Sequence, residues 1–407
     1  MRGGLGVLGA AIAAMALTGP GQTIGVSVFI DHFVDDLSIS RPQVSTAYLI
    51  GTLSASLLLP RVGRLIDRIG VRRSQIFIGI LFAAAIANMS LVMGLVTLTL
   101  GFFGIRLLGQ GSLSLVAGLS VSLRFSEGRG TALGIHSTVA AGLLATVPIL
   151  LAAAIAAFGW RGAWLAAAAV VGVAVPSLAI FALRSMPTSS AEASRAEAAQ
   201  NLTATRQFDR TEAMKTRAFW MLAAVSASAG MLSTALNFHQ IDLLGDVGLS
   251  STAAATLFLP QVIGSSVAGI ACGTITDRIG TRYLPTLGAG LLVAAHLLAA
   301  TAAPGIRVVI YAIVLGAAAG AINTVSNALL PLWFGTRNLG SIQGTMRVLN
   351  AAASAVGPVA LALLQAAFGS YPPAILVISL IAASAMIFSL GRPFPADHST
   401  QPQPAGI

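Results

Sequence analysis

The chain is a series of apolar runs, each about as long as a membrane-crossing helix, separated by short breaks of Gly, Pro, Arg and Asp. The runs fall at about 5–30, 44–62, 74–94, 96–123, 131–157, 162–183, 218–241, 253–272, 284–303, 306–332, 339–367 and 373–390. A bilayer core offers no water to backbone N–H and C=O groups, so a crossing segment must be a helix of roughly 20 apolar residues. The pattern therefore predicts twelve spans. Only 9% of the 407 residues are charged, against about 25% in soluble domains. A soluble enzyme and a disordered chain are both excluded.

The formal net charge is +10, which in a soluble domain would suggest a nucleic-acid partner. Here the basic residues lie in the breaks, and topology accounts for them. With the N-terminus inside, only Arg41, Arg161 and Arg307 fall in external loops, two more (Arg106 and Arg347) fall within spans, and the rest of the 23 are cytoplasmic. Cytoplasmic loops collect Lys and Arg in this way. Both termini are expected in the cytoplasm, in a multi-pass protein of the inner membrane with no nucleic-acid partner. Arg2, the apolar stretch from Leu5 and Ala14-Met15-Ala16 imitate a secretory signal. The apolar run continues to Ile30, so a first span is the better reading. A single cysteine, Cys272, excludes an intrachain disulfide framework.

The two halves of the chain match at a constant offset of 210 residues. GRLIDRIGVRR at 63–73 faces GTITDRIGTRY at 273–283, Pro148 faces Pro358, and Ala157-Phe158-Gly159 faces Ala367-Phe368-Gly369. One match could be chance. A constant offset across loops and a helix interior indicates a duplicated six-span unit, as in many secondary transporters. The expected organisation is a six-helix bundle over 1–183, a cytoplasmic linker over 184–216, a second bundle over 217–391 and a tail over 392–407. Ser189 and Glu192 have capping-box spacing within the linker.

The loop at 63–73 resembles the cytoplasmic signature of the major facilitator superfamily, with a weaker copy at 273–283. Arg106 followed by Leu-Leu-Gly-Gln-Gly is similar to that family's span-4 arginine motif. GPGQTIGVSVFIDHF, SRPQVSTAYLIGT and FHQIDLL give the chain a likeness to bacterial monocarboxylate and oxalate–formate type transporters. It departs from that branch in having no Arg or Asp in span 8. The span-5 proline-glycine motif of drug antiporters is absent, with only Pro148 there.

The resemblance implies a gate made by the signature loops: Gly63, Asp67, Arg68, Gly70 and Arg72, then Gly273, Asp277, Arg278 and Gly280. Asp67 would face the start of span 11, where a carboxylate stabilises a helix N-terminus, while Arg68, Arg72 and Arg73 would pair with Glu127. The alternative is that these charges only fix topology. Topology gives no reason for Asp67 and Asp277 at matched positions.

Arg106 lies eleven residues into span 4, about 16 Å deep at 1.5 Å per residue. An intramembrane arginine costs at least about 2.5 kcal/mol and faces a partner or a wet cavity. The apolar runs contain no Asp or Glu, so an anionic substrate competes with a structural or gating role for this residue. Arg347 in span 11 is the cation of the second half, either a ligand or a snorkelling side chain. Gln22, Asn237, Asn323 and Asn327 are polar residues in spans that usually line the family's central pathway; interhelical hydrogen bonding is the bland alternative for each. His32 beside Asp31 and His239 beside Asp242 sit at the outer ends of spans 1 and 7, as proton sensors or as solvated helix ends. The lack of an intramembrane carboxylate argues against a carboxylate proton relay.

Gly4-Leu5-Gly6-Val7-Leu8-Gly9 matches a dinucleotide fingerprint, but no strand precedes it. GxxxG at Gly21/Gly25, Gly316/Gly320 and Gly340/Gly344 is read as close helix packing. There is no P-loop and no metal-ligand cluster, so neither a cofactor nor a metal is expected. The sequence thus predicts an all-α integral membrane protein of twelve helices in two pseudo-symmetric six-helix bundles. It would be a monomer and a secondary transporter, not an enzyme. Its cargo would be a small organic anion, with export of a hydrophobic drug or metabolite as the alternative.

Overall fold

The computed structural model describes residues 2–125, 129–184, 208–278, 283–335 and 339–391, and their regular structure is entirely helical. The N-terminal half comprises α1 (Arg2–Ala16), α2 (Thr23–Ser27), α3 (Ile30–Leu37), α4 (Arg41–Ile69), α5 (Val71–Met89), α6 (Leu95–Ile105), α7 (Ser114–Arg124) and α8 (Arg129–Ala182). A π-helical segment, Arg106–Leu113, joins α6 to α7. A short α9 (Arg210–Met214) leads into the second half: α10 (Arg217–Gly245), α11 (Ser251–Thr256), α12 (Phe258–Arg278), α13 (Leu284–Ala300), α14 (Ile306–Phe334), α15 (Leu339–Phe368) and α16 (Tyr371–Ser389).

Among the described residues nine stretches are long and apolar enough to cross a membrane. One of them, Ala132–Ala182, is interrupted by Gly159 at φ +69°. The apolar α13 is shorter than the others, and α4 carries Arg61, Arg64, Asp67 and Arg68 in its final turns.

Local chemistry sets the helix ends, and it repeats between the halves. Ser40 caps α4, accepting from the Gln43 amide in a full capping box; 210 residues on, Ser250 caps α11 by accepting from the Ala253 amide. Each cap satisfies an orphan N–H of the first turn. Gly159 and Gly369 form a second matched pair, at φ +69° and +71°. A left-handed backbone is open to glycine at no steric cost, so the chain can reverse within one residue at both places. Gly70, a signature-loop glycine, does the same at φ +79° between α4 and α5. The capping-box spacing at Ser189 and Glu192 lies outside the described residues.

The first span is not one helix. Gly19-Pro20-Gly21 forms a 3-10 turn between α1 and α2, which breaks the continuous run expected over 5–30 and leaves backbone carbonyls without helical donors. Pro20 lacks an N–H and disfavours a helical residue before it, which accounts for the break.

Glycines set the closest helix contacts. A Cβ on Gly316 would overlap the Gln261 carbonyl oxygen, and one on Gly320 the Ser265 oxygen. The expected packing role therefore holds for that pair, which seats α14 on α12. Gly344 has open space instead, so its share of the Gly340/Gly344 motif does not pack this way; the surroundings of Gly340 lie outside what is described.

Two expectations at one end of the bundle are overturned. His239 is not a solvated helix end: it is 1% exposed. The apolar run stops at Ile241, but α10 continues to Gly245 because buried Leu243 and Leu244 extend its apolar face. Asp242 thus lies inside a candidate membrane-crossing helix, which corrects the expectation that no span holds a carboxylate.

Candidate functional site

One face of α4 organises the centre of the molecule. Arg41, Tyr48, Thr52, Ala55, Ser56 and Leu59 recur at helical spacing, and each contacts the other half or lines the space beside it. From the start of α4 inwards these residues make a charged latch, an aromatic plug and a cavity wall.

The cavity wall comes first in importance because Arg106 is part of it. Thr52, Ser56, Arg106 and Gln110 from the N-terminal half face Asn350, Ala351 and Ser354 of α15 across a cavity of about 210 Å³. Arg106 is 5% exposed. Its Nη1 donates to the Gly21 carbonyl at 3.1 Å, one of the oxygens at the break between α1 and α2. Its guanidinium carbon lies 4.8 Å from the centroid of the Tyr48 ring. Its Nε is buried and has no hydrogen-bond partner among the described residues. The π-helical turn begins at Arg106 itself; such turns cluster at functional sites.

A second cavity of about 240 Å³ adjoins the first through Asn350 and contains Arg347 together with Ser226, Asn323, Asn327 and Gln343. Asn350 is held in place by donating to the Ser226 carbonyl at 2.7 Å. Neither cavity has an Asp or Glu in its lining. The structure thus brings Arg106, Arg347, Asn323 and Asn327 to adjoining spaces. Sequence reasoning missed Asn350, although its i, i+3 spacing from Arg347 would have placed both on one helix face.

Two candidates stand apart from those linings. Gln22 spends its amide on its own segment, donating to Thr18 Oγ1 at 2.9 Å. Asn237 is half-buried with an unpartnered Oδ1, beside Phe238 and not in either wall.

The plug lies between cavity and latch. Tyr48 packs on Phe238 of α10 with centroids 4.7 Å apart, and its hydroxyl is 2.7 Å from Thr23 Oγ1. Further along α4 is the latch, about 10 Å from the plug at 1.5 Å per residue. Arg41 Nη2 reaches Asp31 of its own half at 2.8 Å and Asp242 of the other half at 2.5 Å. Tyr371 at the start of α16 donates its hydroxyl proton to Asp242 at 2.5 Å and stands 3.2 Å from His239 Nδ1. The halves are joined at this end by a charge pair and an aromatic contact. The three segments that carry the family likeness contain Asp31, Arg41, Tyr48, Phe238, His239 and Asp242, but nothing in the sequence joined them to one another or to Tyr371, because they are far apart in the chain.

A separate clamp stiffens the same end within the N-terminal half. Asp36 accepts from Trp160 Nε1 at 2.6 Å and from Arg161 at 3.0 Å, and Arg161 stacks 4.1 Å over the Trp160 ring. The indole hydrogen bond, and then Arg161, hold the Asp36 carboxyl below the usual carboxylate range.

Of the signature-loop residues, Gly63 has open space where a Cβ would stand, Arg68 is exposed and Arg72 is half-buried. Gly273 falls within α12. The side chains of Asp67, Asp277 and Arg278, and the whole of Glu127 and Gly280, lie outside the described residues. Among the described residues no group of His, Cys, Asp or Glu could hold a metal ion.

No curated protein sequence matches the chain. Among solved structures, a bacterial homologue of the human lysosomal transporter Spinster, inward-facing and unoccupied, superposes with a TM-score of 0.76 at 15% identity, over 94% of this chain and 95% of that one. The same homologue in an inward-facing, occupied conformation gives 0.74 at 17% identity, over 94% and 95%. A mutant of the nucleoside transporter NupG gives 0.75 at 14% identity, over 95% and 99%. Such likeness establishes the fold, and the Major Facilitator Superfamily profile matches residues 6–287 and 222–406, nearly the whole sequence. This multi-pass membrane protein belongs to the Major Facilitator Superfamily.

Proposed function

We propose that the chain is a secondary transporter carrying a small organic anion, a mono- or dicarboxylate, across the cytoplasmic membrane by alternating access. It works as a monomer of twelve spans. Two six-helix bundles, 1–183 and 217–391, are joined by the linker 184–216, and both termini are cytoplasmic. The latch end then faces outside, and the structure corresponds to the state closed there. Asp67, Arg68, Gly70 and Arg72, with Asp277, Arg278 and Glu127, form the opposing gate.

One observation carries the reading: Arg106, buried at the joint of the two halves, has a carbonyl and a ring for partners and no carboxylate in its cavity. A guanidinium with a desolvated N–H left over is a strong receptor for a carboxylate. Arg347 and Asn350 would hold the far end of the same anion, with Asn323 and Asn327 beside them. Gln22 and Asn237 enter only if the cavity is remodelled during the cycle. The Arg347 cavity is lined mainly by polar side chains, and the Arg106 cavity sets Thr52, Ser56, Gln110 and Asn350 beside the apolar Ala55, Leu59 and Ala351; the polar groups around the two cations favour this cargo over a hydrophobic one.

The test is thermal unfolding of the purified protein in detergent against a panel of carboxylates and lipophilic cations, with Arg106→Gln beside wild type. Binding to the native state adds about 2.7 kcal/mol of apparent stability at a hundred times Kd. A carboxylate that stabilises wild type and not the variant supports the reading. Stabilisation of both proteins by lipophilic compounds alone would replace it with the exporter.

A further inference from the structure

We propose that Asp242 is the site at which this transporter binds its coupling proton, and that Tyr371 and His239 form the hydrogen-bond chain that stabilises the protonated acid. The inference names the coupling ion of the transport cycle proposed above, and its geometric basis is independent of the cargo.

The proton inventory of the chain sets the argument. Pro358 can offer His239 only a carbonyl oxygen, 3.0 Å from Nε2, so Nε2 carries a hydrogen and donates it. In the neutral ring Nδ1 is then an acceptor. The Tyr371 hydroxyl lies between that acceptor and Asp242, at 3.2 and 2.5 Å, and has one proton to give. With Asp242 ionised and held by Arg41, the hydroxyl proton points to the carboxylate and His239 Nδ1 faces an oxygen with no hydrogen between them. With Asp242 protonated, its own O–H donates to the Tyr371 oxygen, the tyrosine proton turns to His239 Nδ1, and every member of the chain is satisfied. The proton comes from water at the latch end and stays on Asp242; the tyrosine keeps one hydrogen throughout.

Arg41 is bound asymmetrically between the halves. One of its carboxylates, Asp31, belongs to its own half; the other, Asp242, belongs to the opposite half. When the halves part, Arg41 keeps Asp31. Asp242, whose side chain is only 19% exposed, loses its cation and keeps Tyr371. A carboxylate stripped of its counter-charge, with a neutral hydrogen-bond partner left beside it, takes up a proton more readily than when it is paired. The other charges near it are Asp31, on the same guanidinium, and Asp246, just beyond the end of its own helix. Protonation and opening of the latch end are therefore linked, and the free energy of one drives the other.

The experiment reads opening directly and needs no cargo. In a Cys272→Ala background, spin labels are placed at Met93→Cys and Ile306→Cys, which are 81% and 69% exposed at the latch end of opposite halves. Distances between them are measured by pulsed electron resonance in nanodiscs across pH. For wild type the long-distance population should grow as pH falls, by about tenfold per pH unit above the midpoint for a single linked proton. Asp242→Asn should show the long distance with no pH dependence. His239→Gln, which removes the terminal imidazole acceptor, should keep the titration and move its midpoint to lower pH.

The proposal is overturned by wild-type distances indifferent to pH, or by an Asp242→Asn protein titrating like wild type. Loss of the titration in His239→Gln alone would also overturn it, by making the imidazole the titrating group. Failure of every carboxylate to stabilise the protein would refute the cargo reading and leave these distances unaffected.

Discussion

The guanidinium of Arg106 and the phenol ring of Tyr48 lie 4.8 Å apart, and that one ring also closes on Phe238 of the opposite half. The residue proposed to bind the anion is therefore in contact with the aromatic ring that bridges the two halves. An anion drawing Arg106 towards the cavity would weaken its hold on Tyr48. The plug and the latch share a helix face with the cavity wall, so a change at Tyr48 is felt along α4.

Arg106→Gln removes a buried charge that lacks a carboxylate partner, and such charges are a cost to the folded state. The unliganded variant should unfold at a temperature no lower than wild type while losing uptake of the cargo anion. Arg106→Lys should lose uptake as well. An ammonium cannot both stack on Tyr48 and reach the Gly21 carbonyl as the planar guanidinium does. Uptake retained by the lysine variant would show that charge alone suffices.

Tyr48→Ala and Phe238→Ala each remove the aromatic contact between the halves. Such a pair contributes about 1 kcal/mol beyond its buried area, so opening at the latch end should rise about fivefold. The check is a thiol placed at Thr52, just beyond the plug, in the Cys272→Ala background. Its labelling from the latch side should be faster in both variants than in the parent. Equal labelling rates would remove the plug from the gating scheme.

The fold was largely legible because the bilayer simplifies the code: apolar length gives spans, and the 210-residue offset predicts pairs such as Ser40 with Ser250 and Gly159 with Gly369. Arg106 was legible for the same reason, since an arginine deep in an apolar run needs an explanation. The break at Gly19-Pro20-Gly21 was written in its residues, yet the surrounding hydropathy concealed it. The latch was not legible. His239 beside Asp242 was readable as a candidate proton sensor at a helix end and Arg41 as an external-loop residue, but only the three-dimensional joint brings them and Tyr371 within hydrogen-bond distance. Asn350 was hidden in a different way, one polar residue among many small ones, with its role decided by which face of α15 meets α4.

Gly316 and Gly320 give a stability prediction with an internal control. Alanine at either must push α14 off the α12 backbone, since the added carbon would overlap a carbonyl oxygen of Gln261 or Ser265. Overpacking of this kind costs about 1–3 kcal/mol. Gly344→Ala, which meets open space, should leave the midpoint of thermal unfolding in detergent unchanged or slightly raised. Gly159→Ala should also destabilise, through its φ of +69° and not through a clash.

Asp36 supplies a pH dependence distinct from that of the latch. Its hydrogen bond from Trp160, and then Arg161, depress its carboxyl below the ordinary range. A depressed folded-state value means that the stabilisation is fully present above the unfolded value, near 3.9 for aspartate. It is lost only as pH falls through the still lower folded value. The difference in unfolding temperature between wild type and Asp36→Asn should therefore be flat from about pH 5 to about pH 8 and shrink only below about pH 4. Because Trp160 and Arg161 belong to the same half as Asp36, the variant should leave the pH dependence of the Met93–Ile306 distance intact. A shifted midpoint in that distance would mean that the clamp and the latch are one coupled unit.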